Sequence, residues 1–198
     1  MDLSLSLAAV AQDGVSKPQV SKDPLTSEQM AVYRSVLQDY TNGSDSPLNV
    51  ANKTAPMDTS GPFFDKACVR GLELENTRTS TEVVHQLDSS LALDRKFILV
   101  DPDQQEEKIK ENDPQHLIKR AISGEEEVTT KKLDTAVTHA FETALFTLTE
   151  IIFDKRHRRA VVGYSFVCGG LCGHGNTLVL KKVGEKWRVS KTCGGWVS

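Results

Sequence analysis

Long hydrophobic runs are missing from this sequence. Across its 198 residues, no uninterrupted apolar stretch approaches the roughly 20 residues that a membrane-spanning helix needs, which excludes a transmembrane protein. The 13 glycines and 7 prolines are too few for a collagen-like chain, and 38% hydrophobic residues in periodic clusters exclude a fully disordered one. A chain of this length can bury about 70% of its surface as one domain. We therefore expect one globular domain with no membrane span.

Familiar catalytic and cofactor-binding motifs are also missing. The chain contains no Gly-x-Ser-x-Gly, no His-Glu-x-x-His and no P-loop. Glycines at 169–175 could expose backbone amides to a phosphate, but phosphate loops lead into a helix, whereas residues 176–180 read as a strand. We therefore interpret these glycines as a flexible hairpin tip and predict no cofactor. A catalytic set that forms only in space leaves no such mark in a sequence.

Negative charge is scarce in the C-terminal quarter. Residues 150–198 carry nine Lys/Arg and three Asp/Glu, a balance of +6, whereas residues 1–149 have a balance of −9. The run Lys155-Arg-His-Arg-Arg159 resembles an anion-binding patch on charge alone. It is short and lacks interleaved aromatic residues, and the chain has a pI near 6.0. We predict a solvated turn that guards a sheet edge, with no binding of nucleic acid.

The N-terminus carries features of an export signal. Residues 1–12 are partly apolar and contain Ala9-Val10-Ala11, the small-x-small pattern that signal peptidase accepts. Asp2 stands where a signal would have Lys or Arg, so a plain disordered arm is the alternative. Residues 12–24 are polar and lack periodicity. We predict a signal remnant and flexible linker over 1–24 and a single domain over 25–198.

Helices are indicated in the N-terminal and central parts of the chain. Thr26 and Gln29 match a capping box, and the apolar spacing that follows predicts a helix over 27–40. The longest helical pattern starts at Thr129 or Thr130, and we expect its apolar side to pack on the core. Strands are predicted at 48–53, 83–84 and 97–100, and short helices after Pro102 and Pro114.

From residue 149 onward, the hydrophobic period changes from helical to alternating. Gly184-Glu185 fits a two-residue turn, and Trp187 and Val189 lie on one side of the strand that follows. The predicted class is α+β: an antiparallel sheet with a C-terminal four-strand meander, packed against N-terminal and central helices. The meander strands are expected at 149–154, 160–168, 177–183 and 187–191. Their core side chains are Val162, Tyr164, Phe166, Leu178, Leu180, Trp187 and Val189.

Four cysteines allow three pairings. Cys168 and Cys172 flank a Gly-Gly-Leu tip and can approach bonding distance, which leaves Cys68 and Cys193 for each other. Disulfides are the favoured interpretation because an even cysteine count suits an exported protein. Cys168, Cys172, His174 and Cys193 also fit a tetrahedral zinc site, and free thiols remain a third reading.

Three side chains are candidates for ligand contact: His174, Trp187 and Trp196. His174 follows the cysteine pair, and the two tryptophans are large amphipathic groups in the last strand region. A cavity where one of them meets a carboxylate would mark a functional site.

The C-terminal run from Ala160 to Ser198 resembles a group of uncharacterised exported bacterial proteins. Their tails read strand, CGxLCGxG, strand, short turn and a final W-[IV]-S, as in Cys168-Gly-Gly-Leu-Cys172-Gly-His-Gly175 and Trp196-Val-Ser198 here. The resemblance covers roughly the last quarter of the chain and extends more weakly to the helix after Leu25. It implies export and a coherent fold but no activity, and it does not include Cys68 or Cys193.

Together these features favour an exported, periplasmic or extracellular protein. The leading hypothesis is a non-enzymatic binding or interaction domain stabilised by disulfides. The alternatives are a small zinc-dependent or hydrolytic enzyme centred on the Cys/His hairpin and a structural envelope component.

Overall fold

A computed structural model describes residues 18–41, 47–61, 64–75, 82–91 and 97–198. The predicted export signal and the start of the linker lie outside these residues. Within the described part of the chain, no helix is both long and apolar enough to cross a membrane.

In the described ranges, four α-helices form where capping residues precede helical spacing. They are α1 (Ser27–Thr41), α2 (Pro102–Glu111), α3 (Pro114–Ile122) and α4 (Thr130–Thr143). The capping box is confirmed, since the Thr26 hydroxyl accepts from the Gln29 amide at 3.2 Å and the Gln29 side chain accepts from the Thr26 amide at 2.8 Å. Asp101, Asp113 and Thr129 cap the other three helices through their side chains. A 3₁₀ turn covers Ser89–Leu91.

Nine strands complete the described part of the fold. The short ones are β1 (Gln19–Val20), β2 (Leu48–Ala51), β3 (Val83–Val84), β4 (Phe97–Val100), β5 (Leu145–Leu148) and β6 (Ile152–Phe153). The long ones are β7 (Arg159–Gly169), β8 (Cys172–Val183) and β9 (Lys186–Val197). Gly184, at φ 60°, opens the predicted two-residue turn between β8 and β9.

The main sheet is mixed, which confirms the α+β class and corrects the expectation of an antiparallel sheet. Its order is β4-β2-β5-β7-β8-β9, with β6 also pairing with β7. The β6–β7–β8–β9 meander is antiparallel as predicted, but β2 pairs parallel with both β4 and β5. Long connections after β2 and β4, the second containing three helices, allow the chain to return in the same direction.

A second, two-stranded sheet joins the N-terminal segment to the domain. β1 runs parallel to β3, pairing Gln19 with Val83 and Val20 with Val84. The predicted linker over 12–24 therefore includes a strand, because β3 offers backbone groups that β1 satisfies.

The two faces of the main sheet carry different covers. We call the face that bears Phe146, Val162 and Leu180 the helix face, since α1 packs on it. The opposite face, bearing Val161 and Val179, is the loop face, and the segment 57–75 covers it. The predicted core of the meander is confirmed on the helix face, where Val162, Leu178, Leu180 and Trp187 are buried and Tyr164, Phe166 and Val189 pack against them.

Helix α4 does not pack on the core along its length, contrary to expectation. Ala140 is its buried residue, next to Ala144 and Cys168, whereas Phe141 is 56% exposed. The helix touches the sheet near its C-terminal end, so most of its apolar stripe faces outward or toward α3. An amphipathic period predicts a helix with an apolar side but does not identify what that side contacts.

Candidate functional site

The β7–β8 hairpin positions the first group of candidate residues. Its strands run to Gly169 and from Cys172, so the tip is shorter than the glycine-rich loop predicted from sequence. The Cys168–Cys172 disulfide is confirmed, with a Cα–Cα distance of 5.1 Å across the tip. Because β8 starts early, His174 is a strand residue directly opposite Phe166.

A cavity of about 720 Å³ opens beside this hairpin on the helix face. We call it the His174 cavity. Its aromatic lining consists of Tyr40, Phe141, Phe166 and His174, and the Cys168–Cys172 pair forms another part of its wall. The His174 ring lies 5.9 Å from the Tyr40 ring and 5.5 Å from the Phe166 ring, measured between centroids. Flat apolar groups can stack against such walls.

Few polar groups face the His174 cavity. Burial raises the pKa of Tyr40 to about 12, with the nearby Tyr164 adding to the shift, so its phenol is neutral. Asn49 uses its amide to donate to the carbonyls of Glu142 and Ala144. The nitrogens of His174 have no hydrogen-bond partner or carboxylate among the residues that the structure describes. They are available to a ligand.

A second cavity, of about 200 Å³, lies on the loop face of the same sheet. We call it the Trp196 cavity. Gly163 and Gly175 line it from β7 and β8, Trp196 lines it from β9, and Asp58 reaches it from the covering segment. This is where a candidate tryptophan and a carboxylate share one cavity.

The Trp196 indole lies against the backbone of β8. Register pairs Trp196 with Gly175, and a Cβ placed on Gly175 would come within 2.5 Å of the indole Nε1. Similarly, a Cβ on Gly173 would lie 3.1 Å from the far ring of the indole. The glycines that sequence analysis assigned to a flexible tip therefore act as a platform for Trp196.

The zinc alternative is not supported by the cysteine arrangement. Cys193 pairs with Cys68 at a Cα–Cα distance of 5.7 Å, which confirms the long-range disulfide. That bond lies on the loop face, whereas Cys168, Cys172 and His174 lie on the helix face. Zinc binds thiolates, and sulfur in a disulfide is not one. Across the described ranges, no group of three or more His, Cys, Asp or Glu could hold a metal ion.

Trp187 is a core residue. It is 5% exposed, packs 5.8 Å from the Phe153 ring and lines neither cavity. Lys182 covers it at 5.7 Å from the ring centroid. The other candidate tryptophan, Trp196, lies in the same strand but on the loop face.

The basic turn pairs with acidic residues of the same chain. His157 contacts Glu28 at 2.7 Å and Glu75 at 3.5 Å, and Lys155 lies 3.9 Å from Glu73. Lys182 also contacts Glu28, at 2.8 Å. Part of the C-terminal positive charge is thus neutralised internally, and the absence of nucleic-acid binding stays a prediction.

A buried polar cluster around Glu150 was missed by sequence analysis. Glu150 is 4% exposed and accepts from the His85 amide at 2.9 Å and from the Thr54 hydroxyl. His85 Nδ1 lies 2.9 Å from the Glu150 carboxylate. Burial, together with the Glu150 charge, raises the pKa of Tyr33. A lone glutamate inside the apolar run 144–153 is the signal that could have identified it.

The Glu150 cluster joins segments and lines neither cavity. Glu150 lies in the short connection between β5 and β6, and its amide donates to the Ala55 carbonyl at 2.7 Å. The carboxylate therefore holds the chain after β2 and the chain after β3 together.

Comparisons with known proteins do not assign the chain to a family. No family model matches the chain, and neither a curated protein nor a solved structure gives a significant match. The resemblance of the tail to exported bacterial proteins therefore rests on its sequence pattern.

Proposed function

We propose that the protein is an exported binding domain whose His174 cavity takes a small, flat, largely apolar ligand with one polar group. The observation that carries this proposal is the aromatic lining of the cavity by Tyr40, Phe141, Phe166 and His174. Its volume of about 720 Å³ falls within the roughly 300–1,000 Å³ of typical small-molecule sites.

The chemistry of the lining favours such a ligand. Phe141 is 56% exposed at the mouth of the cavity, where burial against a ligand would remove apolar surface from water. The His174 nitrogens, unpartnered within the described ranges, can hydrogen-bond one polar group of the ligand. A predominantly apolar cavity with one oriented polar group is the usual composition of a small-molecule site.

Export is supported by the two disulfides. Disulfide bonds persist in oxidising compartments such as the periplasm or the extracellular space. The small-x-small pattern at 9–11 and the resemblance to exported bacterial proteins agree with this location. The proposed activity is binding, because no hydroxyl, thiol or carboxylate among the described residues is hydrogen-bonded to His174, and so no nucleophile–base pair supports catalysis in this cavity.

Fluorescence titration with anilinonaphthalene sulfonate, a largely apolar probe that combines a flat naphthalene ring with a polar sulfonate, tests the proposal. We expect saturable binding to the oxidised protein, with a dissociation constant on the order of 10 μM. Phe141→Ala should weaken it at least about tenfold, since the variant removes a ring from the mouth of the cavity. Ile122→Ser is the matched control, because Ile122 is an exposed apolar residue that does not line the cavity. Equal binding by Phe141→Ala and wild type would contradict the proposal.

A further inference from the structure

Three hydroxyl groups line the Trp196 cavity without a partner. Thr147 and Ser165 are directly opposite each other on β5 and β7, and Thr177 lies on β8 two residues beyond Gly175, the register partner of Ser165. Thr177 is 9% exposed, and all three residues line the cavity. None of these side-chain hydroxyls has a hydrogen-bond partner in the described parts of the chain. Thr147 and Ser165 are partly exposed, whereas Thr177 is buried. A buried hydroxyl is normally paired, so Thr177 in particular points to a bound water or ligand.

The neighbouring Thr149 shows what a satisfied hydroxyl looks like on the same face. Its hydroxyl accepts from the Gly163 amide at 2.7 Å and donates to the Glu150 carbonyl at 3.0 Å. Thr149 also lines the cavity, so the protein satisfies this hydroxyl itself and leaves those of Thr147, Ser165 and Thr177 for a ligand.

Trp196 supplies an aromatic wall and a further donor. The indole is half-buried on the glycine platform, which holds it in place beside the cavity. Its Nε1 group has no hydrogen-bond partner within the described residues. The wall thus combines a flat apolar surface with a donor at its edge.

Asp58 supplies an acceptor on the opposite side of the cavity. Its Oδ1 accepts from the Ser60 amide at 2.9 Å, the Ser60 hydroxyl at 2.8 Å and the Gly61 amide at 2.8 Å. The Ser60 side chain is the main cause of the lowered pKa of Asp58, so this carboxyl is ionised near neutral pH. The other oxygen, Oδ2, accepts no hydrogen bond from the described residues and is available to a ligand.

We propose that the Trp196 cavity binds a single pyranose ring. A pyranose presents a patch of C–H groups that can lie on an indole, and hydroxyls around its rim that both donate and accept hydrogen bonds. Trp196 matches the first feature, and Thr147, Ser165, Thr177 and Asp58 match the second. The volume of about 200 Å³ is below the roughly 300 Å³ at which drug-sized sites begin, which suits one ring.

Other ligand classes fit this cavity less well. A wholly apolar molecule would leave the three hydroxyls without a ligand partner, which is least favourable at the buried Thr177. An anion would meet the ionised Asp58 carboxylate, and like charges repel. A ligand without negative charge and rich in hydroxyls fits the cavity best. This site is separate from the His174 cavity and does not depend on the function proposed for it.

Saturation-transfer NMR with methyl pyranosides of glucose, galactose, mannose and N-acetylglucosamine tests the proposal on the oxidised full chain. We expect at least one of them to bind saturably, with a dissociation constant on the order of 1 mM. Trp196→Ala should weaken that binding at least about tenfold through loss of the aromatic wall.

Two conservative variants keep the test independent of the packing of Trp196. Thr177→Val preserves shape and removes one hydroxyl, and Asp58→Asn removes the charge at an exposed position; each should weaken binding at least about threefold. Phe141→Ala is the matched control and should leave pyranoside binding unchanged. The proposal is overturned if no methyl pyranoside gives a saturable signal, or if binding survives Trp196→Ala and Thr177→Val unchanged. Binding of anilinonaphthalene sulfonate reports on the other cavity, so failure of either proposal is recognised separately.

Discussion

The helix face and the loop face of the same sheet are covered by segments of different kinds. On the helix face, the 15-residue α1 places Tyr33 and Leu37 against β5, β7 and β8 in a continuous apolar core. On the loop face, the irregular segment 57–75 contributes Met57 and half-buried side chains around Val161 and Val179.

The difference shows how each cover is retained. A helix satisfies its own backbone and needs only side-chain packing to remain in place. The described parts of this segment, 57–61 and 64–75, make local turns, such as the bond from the Cys68 amide to the Asp65 carbonyl at 3.0 Å, and a β-bridge from Leu74 to Asp154. The Cys68–Cys193 disulfide attaches it covalently to β9. We infer that packing holds the helix face, whereas the disulfide holds the loop face.

The largest expected effect comes from removing the tether of the loop face. Replacing Cys68 and Cys193 together with Ala should lower the free energy of unfolding by about 5 kcal/mol in the chain-entropy model, because the bond closes a loop across 125 positions. Urea unfolding followed by circular dichroism measures the loss. The matched control replaces Cys168 and Cys172, which are 4 positions apart and should cost about 2 kcal/mol. Equal losses in the two variants would contradict the special role of the loop-face bond.

Loss of a large side chain tests the helix face. Trp187→Ala should lower the free energy of unfolding by about 3–5 kcal/mol, because it opens a void in the α1-covered core. Val183→Ala in the same hairpin is the control, since Val183 is exposed. Thermal unfolding reports both. A shift of about 1 °C or less for Trp187→Ala would show that packing on this face is not decisive.

The Glu150 cluster joins the chain after β2 to the chain after β3. Glu150→Ala should lower the free energy of unfolding by about 3 kcal/mol, because it removes the acceptor beside His85 Nδ1 and leaves the His85 amide and the Thr54 hydroxyl with only the bonds between these two residues. Glu150→Gln keeps an acceptor and should cost less. Glu142→Ala, which alters a carboxylate exposed to solvent, is the control and should change stability by less than about 0.5 kcal/mol. Chemical unfolding measures the stability of the three variants. Equal stability of Glu150→Ala and Glu142→Ala would contradict the role of Glu150 in joining the two segments.

The smallest effect concerns the ion pairs that join α1 to the basic turn. The hydrogen bond to Glu28 raises the pKa of His157. Burial acts to raise the pKa of Glu28, but hydrogen bonds from Lys182 and His157 outweigh it, so the pKa of this carboxyl is lowered overall. A raised histidine pKa stabilises the fold below about pH 6.5, and this contribution disappears as pH rises through the folded-state value. A lowered glutamate pKa stabilises the fold above about pH 4.5 and is lost on further acidification.

His157→Gln should therefore cost stability between about pH 5 and pH 6.5 and little above about pH 8. The His157 side chain is 46% exposed, so the cost should be about 0.5 kcal/mol or less after solvent screening. Urea unfolding across this pH range measures it. His139→Gln, a change at another exposed histidine, controls for the loss of an imidazole. A loss of stability that grows toward alkaline pH would contradict this explanation, because the predicted loss is confined to acidic pH.

Local patterns in the sequence predicted much of the chain correctly. The capping pair Thr26 and Gln29 identifies the start of α1 because both side chains act within one helical turn. Gly184 identifies the β8–β9 turn because a positive φ favours glycine. The cysteine pairing was also predictable, since one short-range pair leaves a single choice for the other two.

The candidate site was predictable only in part. His174 and Trp196 were identified as candidates, and each lines a cavity, but sequence analysis could not place them on opposite faces of one sheet. Trp187 lies in the core of the helix face, as strand alternation predicted, and it lines neither cavity. The glycines near Trp196 are a platform because of cross-strand register, which no local pattern contains.

By itself, the sequence determined the helices, the C-terminal meander and the disulfide pairs, because each depends on side-chain period, capping, turn chemistry or simple elimination. Only the tertiary structure decided the parallel insertion of β2 beside β5, the burial of Glu150 against His85 and the two cavities. These features bring together residues that are distant along the chain. Local preferences act over a few residues, whereas such contacts form only when the whole sheet has assembled and the cost of closing long loops has been met.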